Sequence, residues 1–400
     1  MAKLFNLKGK IKNYAWGGTK FIPELLGIKS NNKKCAEYWL GAHVNAPSII
    51  STADGNQNLD HYLASHSTER LGAKVVKNFG RLSFLFKVLD VYDMLSIQVH
   101  PTKIEAEKGF KRENELGIPL TAPHRNYKDD NHKPEIMVAL SEFWLLHGFL
   151  SKEKLTKILK ETPEFIDLLP VFKSEGYFGL YKKVMEQSVK ETNRILTPLV
   201  SRIMPLYFED KLDKSNPDYW AAKAVDASIY KTILDKGIYS IYFFNIVRVS
   251  KGEAVFQDAG IPHAYLEGQN MELMANSDNV LRGGLTPKHI DVPELLKHTT
   301  FEATIPNVMQ GNLQDDGIER IYKTPAPDFE LSKIDLKKSD NYQSQAKTAQ
   351  ILMVIEGEAV IEEGDNVLTI GKGKSVFLEA GCKYQISSLV PATIYKATTP

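Results

Sequence analysis

A mainly β architecture interrupted by an inserted α-helical domain is what this chain of 400 residues predicts. Three observations carry that expectation. Runs rich in β-branched and aromatic residues occur towards both ends, a central stretch has its apolar residues at helical spacing, and one strand-turn-strand pattern occurs twice. The length favours two or three domains. Hydrophobic residues make up 43% and charged residues 25%, ordinary for a soluble globular chain. Fifty Lys and Arg against 49 Asp and Glu leave a formal charge of +1, which gives no sign of a nucleic-acid or membrane partner. An anionic small molecule would have to be held by local groups.

In chain order, the strand-like runs are Leu82 to Val88, Met94 to Val99, Ile238 to Val249 and Ile351 to Ile361, each bounded by turn residues. Between them, Leu155, Ile158 and Leu159, then Ile195, Leu199 and Ile203, fall on helical faces. The expected organisation is the first part of a β domain over 1–150, a helical insertion over 151–236, the second part of that β domain over 237–305, and a C-terminal β module over 306–400. Cys35 and Cys382 lie far apart and form no CxxC pair, which fits a reducing compartment. With no apolar run of spanning length, the expectation is a cytoplasmic protein.

The repeat specifies the β architecture further. Lys251 to His263 aligns without gaps on Lys372 to Tyr384, with six identities in thirteen positions, two of them glycines at turn positions. Strand, glycine turn and second strand in this order are the pattern of double-stranded β-helix jelly rolls of the cupin kind. His263 aligns with Tyr384, and residues 301–400 contain no His, so only the first jelly roll is expected to hold a metal.

The candidate ligands come from three places. In Leu95-Ser96-Ile97-Gln98-Val99-His100-Pro101, an extended strand puts Ser96, Gln98 and His100 on one face and Ile97 and Val99 on the other. His132-Lys133-Pro134-Glu135 adds a carboxylate in a segment that Pro134 biases towards extended geometry, and Pro262-His263 adds a second imidazole. Gln98, His100, Glu135 and His263 form a closed set for one divalent ion.

These blocks resemble the type I mannose-6-phosphate isomerases, the zinc-dependent phosphomannose isomerase family. Asn13-Tyr14-Ala15-Trp16-Gly17, the block from Ala36 to His43, the three metal blocks, and the run from Met271 to Lys288 all resemble that family's motifs. Thr102 and Gly283 are small departures at positions that ligate nothing. The resemblance implies one Zn2+ per chain on Gln98, His100, Glu135 and His263, a catalytic role for Arg282, and a sugar phosphate as substrate. It implies isomerisation of an aldose to a ketose through a cis-enediol, by a chain expected to act as a monomer.

That chemistry needs a polarised carbonyl, a proton shuttle and a group to steady negative oxygens. Arg282 stays cationic. Lys133, on the same extended face as Glu135, is the first candidate for the proton, with Asp278 and His132 as rivals. For substrate binding the candidates are Lys103, Ser96, Trp16, Tyr265, Glu272 and Lys288, with Tyr14 beside Trp16 in an aromatic wall. Thr102-Lys103-Ile104-Glu105 has the form of a capping box, which would place Lys103 in a first helical turn. Two His and a carboxylate also suit a non-haem iron oxygenase, and a non-catalytic sugar-phosphate sensor is a further alternative. Gln98, Lys133 and Arg282 favour the isomerase.

Overall fold

The structure is a computed structural model and describes residues 2–228 and 233–400, so 229–232 of the expected helical insertion lie outside the described residues. Two antiparallel sheets of ten and nine strands organise the chain. The ten-stranded sheet is built around one long strand, His263–Ala275. Its second half lies between Phe84–Val91 and Glu135–Ala139, while its first half pairs with Phe143–Phe149 and meets Ile97–Val99 at one residue pair, His263 opposite Gln98. A register shift between Tyr265 and Glu267 marks the changeover, as a bulge does where a strand turns between layers. Gly268 follows it with φ 122°, and a Cβ there would stand 2.6 Å from the Glu142 carbonyl oxygen, so the bend requires glycine. Leu89, Met137, Phe143, Leu145, Val255 and Tyr265 pack between these layers.

The nine-stranded sheet and a four-stranded sheet, Asn341–Gln345, Lys383–Ser387, Glu358–Glu363 and Asn366–Gly371, enclose a second core containing Leu352, Val354, Ile361, Tyr384 and Ile386. Three strands of the nine, Leu4–Lys8, Ile49–Thr52 and Gly55–Asn58, come from the N-terminal part of the chain. The repeat is real in the backbone. Gly252 and Gly373 have φ 86° and 78°, Gly260 and Gly381 both have φ 79°, and each pair lies at matching positions of the two copies. The expected run Ile351 to Ile361 divides into Gln350–Glu356 and Glu358–Glu363 at Gly357.

Helices fill the interval from Lys152 to Phe243 among the described residues. Ser151 caps the first by accepting from the Lys154 N–H, and Ser188 with Glu191 forms a complete capping box on Val189–Phe208. The insertion departs and returns at one point: Phe149 pairs with Phe244, and the Leu150 N–H donates to the Phe243 carbonyl at 2.9 Å. The expected strand Ile238 to Val249 is a strand only from Phe244; Gly237–Phe243 is a helix. All seven helical residues are buried, with Tyr239, Tyr242 and Phe243 ringed around Phe165. A segment apolar on every side carries no period, and strand-favouring composition then misleads.

Candidate active site

His100, Glu135 and His263 converge. Their ligating atoms lie within 4.8 Å of one another, and all three residues are buried. The Glu135 carboxylate spans the two rings, Oε1 at 3.5 Å from His100 Nε2 and Oε2 at 3.4 Å from His263 Nε2. Each ring is fixed from its far side. His100 Nδ1 lies 3.0 Å from the Asn279 carbonyl and His263 Nδ1 lies 2.9 Å from the Ile261 carbonyl, so both Nδ1 atoms carry the proton and both Nε2 lone pairs face the carboxylate. His100 Nε2 is buried with no hydrogen-bond partner. Burial draws its pKa down to about 4 and keeps the ring neutral, as a ligand must be. Burial acts against the Glu135 charge, but Lys133 foremost outweighs it and the carboxyl is held well below its usual range. Two neutral imidazoles, one carboxylate and the Gln98 amide on the same pocket wall fit a divalent ion that prefers N and O donors.

A second charged group backs onto the first. Lys87 is buried in the middle of Phe84–Val91 and bonds Glu272 at 2.9 Å, with Glu37 at 3.6 Å and the Trp39 ring 5.3 Å from its nitrogen. The cross-strand register dictates this, because Trp39 and Glu272 both stand opposite Lys87. Burial opposes the ammonium, yet Glu272 and Glu37 raise its pKa above the ordinary lysine value. Burial, with Glu135 and Glu37 nearby, holds Glu272 above the usual carboxylate range against the pull of Lys87. Glu37, Lys87, Gln98, Lys133, Glu135, His263, Tyr265 and Glu272 line one pocket. Sequence reasoning assigned no role to Lys87 or Glu37, although a lone Lys within the apolar run Phe84-Leu-Phe-Lys-Val-Leu was a readable signal.

The remaining candidates divide by position. Lys133 Nζ lies 3.0 Å from Glu135 Oε1. Arg282 stands opposite Gln98 in the ladder, and its pKa is lowered by burial alone, with no carboxylate paired to it among the described residues. Lys288 lies within its field: burial and then Arg282 lower the Lys288 pKa. Tyr265 faces Phe143 edge-on at 5.3 Å, and burial pushes its hydroxyl well up. Tyr14 and Trp16 stack at 5.9 Å, the Tyr14 hydroxyl raised to about 12 by burial and then by Glu37. Asp278 meets His43 rather than the metal ligands.

Beyond His100, Arg282, Asp278, Lys288, Tyr14 and Trp16, three more candidates fall outside the pocket lining. His132 turns away, its Nε2 at 2.8 Å from Asp328 Oδ2 of the C-terminal region. Ser96 is half-buried ahead of Ile97–Val99. Lys103 is engaged by the Asp130 carbonyl at 3.0 Å and Glu107 at 3.5 Å. The capping box at Thr102 is only half made: Thr102 accepts from the Glu105 N–H, but the Glu105 side chain turns to Lys108 and Lys297.

Residues 4–152 match the protein family described as "Phosphomannose isomerase type I, catalytic domain", and residues 319–388 match "Mannose-6-phosphate isomerase, cupin domain". The mannose-6-phosphate isomerase of Escherichia coli (strain K12) is 37% identical over 386 residues, covering 95% of each chain. The human enzyme is 32% identical over 418 residues, covering 94% of this chain and 95% of its own. A crystal structure of the Salmonella typhimurium enzyme bound to fructose 6-phosphate and zinc superposes with a TM-score of 0.88 at 33% identity, covering 100% of both chains.

Proposed function

The chain belongs to the type I phosphomannose isomerase family, and from that premise we propose that it interconverts mannose 6-phosphate and fructose 6-phosphate with zinc as its resident ion. One observation carries the reading: two imidazoles, a carboxylate and a lysine ammonium meet in one buried cluster, with a guanidinium on the adjoining strand that pairs with no carboxylate among the described residues. His100, Glu135, His263 and Gln98 would hold the zinc, which when bound supplies Lewis-acid polarisation without redox chemistry.

The chain's own groups account for the rest. Isomerisation removes the proton from C2, returns one to C1, and moves a hydroxyl proton between the two oxygens, so nothing is consumed. Lys133 Nζ, beside Glu135, is the proposed carrier of the carbon proton. Arg282 is paired with no carboxylate among the described residues and is the cation proposed for the enediol oxygens or the phosphate. A monomer is the proposed active unit, and both cysteines are free and buried, which supports a reducing, cytoplasmic setting.

The test is a coupled assay of mannose 6-phosphate with purified protein, before chelation, after it, and after zinc is returned. Activity should vanish and recover with the metal. Folded, zinc-loaded protein that leaves mannose 6-phosphate unchanged would sink the reading.

A further inference from the structure

A buried histidine at the edge of the site takes no part in the chemistry above. His43 follows Glu37–Leu40, is 5% exposed and meets the Trp39 ring edge-on at 5.0 Å. Its tautomer can be read from its neighbours. The Asn45 backbone N–H donates to His43 Nδ1 at 3.2 Å, so Nδ1 is the acceptor and a neutral ring carries its proton on Nε2. Nε2 lies 3.3 Å from Asp278 Oδ1. The other carboxylate oxygen, Oδ2, accepts from Asn45 Nδ2 at 3.3 Å.

Asp278 is also fixed from beneath. Its own N–H donates to Asp129 Oδ2 at 2.8 Å, and the neighbouring Ser277 hydroxyl donates to Asp129 Oδ1 at 2.8 Å. One loop, residues 43–45, therefore grips both oxygens of a carboxylate whose backbone is anchored on another. The titratable groups around its side chain are His43, Lys133, Lys87, Lys128 and the Tyr14 hydroxyl, with Asp129 behind the backbone. Burial would raise the Asp278 pKa, but His43, Lys133 and Lys87 outweigh it and the carboxyl titrates below its ordinary value.

We propose that His43 is a positioning residue whose Nε2–H fixes the orientation of the Asp278 carboxylate and holds it charged beside the substrate pocket. What the carboxylate serves there rests on the isomerase reading; that His43 holds it does not. A carboxylate kept charged accepts a sugar hydroxyl or a proton and does not donate one. Asp278 thereby becomes an acceptor within the field of Lys133 and Lys87, two lysines that line the pocket.

Two readouts test this. The first is the carboxyl titration of Asp278 in metal-free protein, followed by carbon-13 NMR with aspartate labelled at Cγ and the signal assigned through Asp278→Asn. His43→Leu should raise that pKa by about one unit, the size expected for loss of one hydrogen bond to a charged group. His43→Gln keeps an N–H donor at similar reach and should leave it near the wild-type value. The second is kinetic: His43→Leu should lower kcat about tenfold with KM and zinc content unchanged, and His43→Gln should restore most of it. If His43→Leu does not fold, His43→Asn, whose amide is too short to reach Oδ1, takes its place. An unchanged titration in the Leu or Asn variant, or a Gln variant as impaired as Leu, would overturn the proposal. The titration decides the matter even in a protein that turned over no sugar.

Discussion

Lys87 shows how a single buried charge can be structural and chemical at once. Among the described residues its ammonium is the only cation within 4 Å of the Glu37 and Glu272 carboxylates, and all three side chains are at most 10% exposed. Deleting it leaves two carboxylates buried together, and removing one partner of a buried ionic group costs about 3–5 kcal/mol. Lys87→Met should therefore lower the unfolding free energy by about that much in denaturant titration. Removing a carboxylate as well, in Lys87→Met with Glu272→Leu, should recover part of the stability, because a matched apolar pair carries no unpaid desolvation. Turnover should stay low in both variants. Full recovery of turnover in the double variant would show that Lys87 serves only to neutralise its neighbours.

At the scale of elements, legibility followed how local each signal was. The His100 strand, the Pro134 segment and the His263 turn were readable because period 2 and proline act over a few residues. The helical caps at Ser151 and Ser188 were equally local. Pairing was not. Nothing in Phe84–Val91 alone states that Glu272 will stand opposite Lys87, or that Leu4–Lys8 will cross to the sheet of the C-terminal region. His132 lost its expected place for the same reason: its partner, Asp328, is 196 residues away in the chain. That contact joins the segment bearing Glu135 to the C-terminal region, and Asp328 is 1% exposed with its second oxygen already unpartnered. His132→Ala should cost about 1–3 kcal/mol of stability, the penalty for stranding a buried acceptor. It should also leave the ratio of C2 deuterium exchange to turnover as in wild type. Lys133→Ala should instead lose exchange and turnover together, by about 10²- to 10⁴-fold. Loss of exchange in His132→Ala with wild-type stability would return His132 to the proton path.

Over the whole molecule, the metal centre ties stability to pH through histidines that the fold keeps neutral. Burial lowers His100 to about 4, and His147, cross-strand from His263, is likewise lowered to about 4 by burial and then by His263. In the unfolded chain both rings titrate near 6.5. Between pH 6.5 and 4 the unfolded chain therefore binds more protons than the native one, so stability rises with pH across that window and is lost on acidification. Glu135, held low, adds to the loss below its unfolded value, while Glu272, held high, works in the opposite direction. At pH 5 each neutral histidine should cost about 2 kcal/mol relative to pH 7, so the metal-stripped protein should lose about 4 kcal/mol. His147→Phe keeps an apolar ring of similar size, and it should reduce that loss by about half. Urea unfolding of stripped wild-type and His147→Phe protein at pH 7 and pH 5 measures both quantities directly. Equal acid sensitivity in the two would mean that His147 takes up a proton in the native fold as readily as in the unfolded chain, and that the core beside His263 is wetter than its burial indicates.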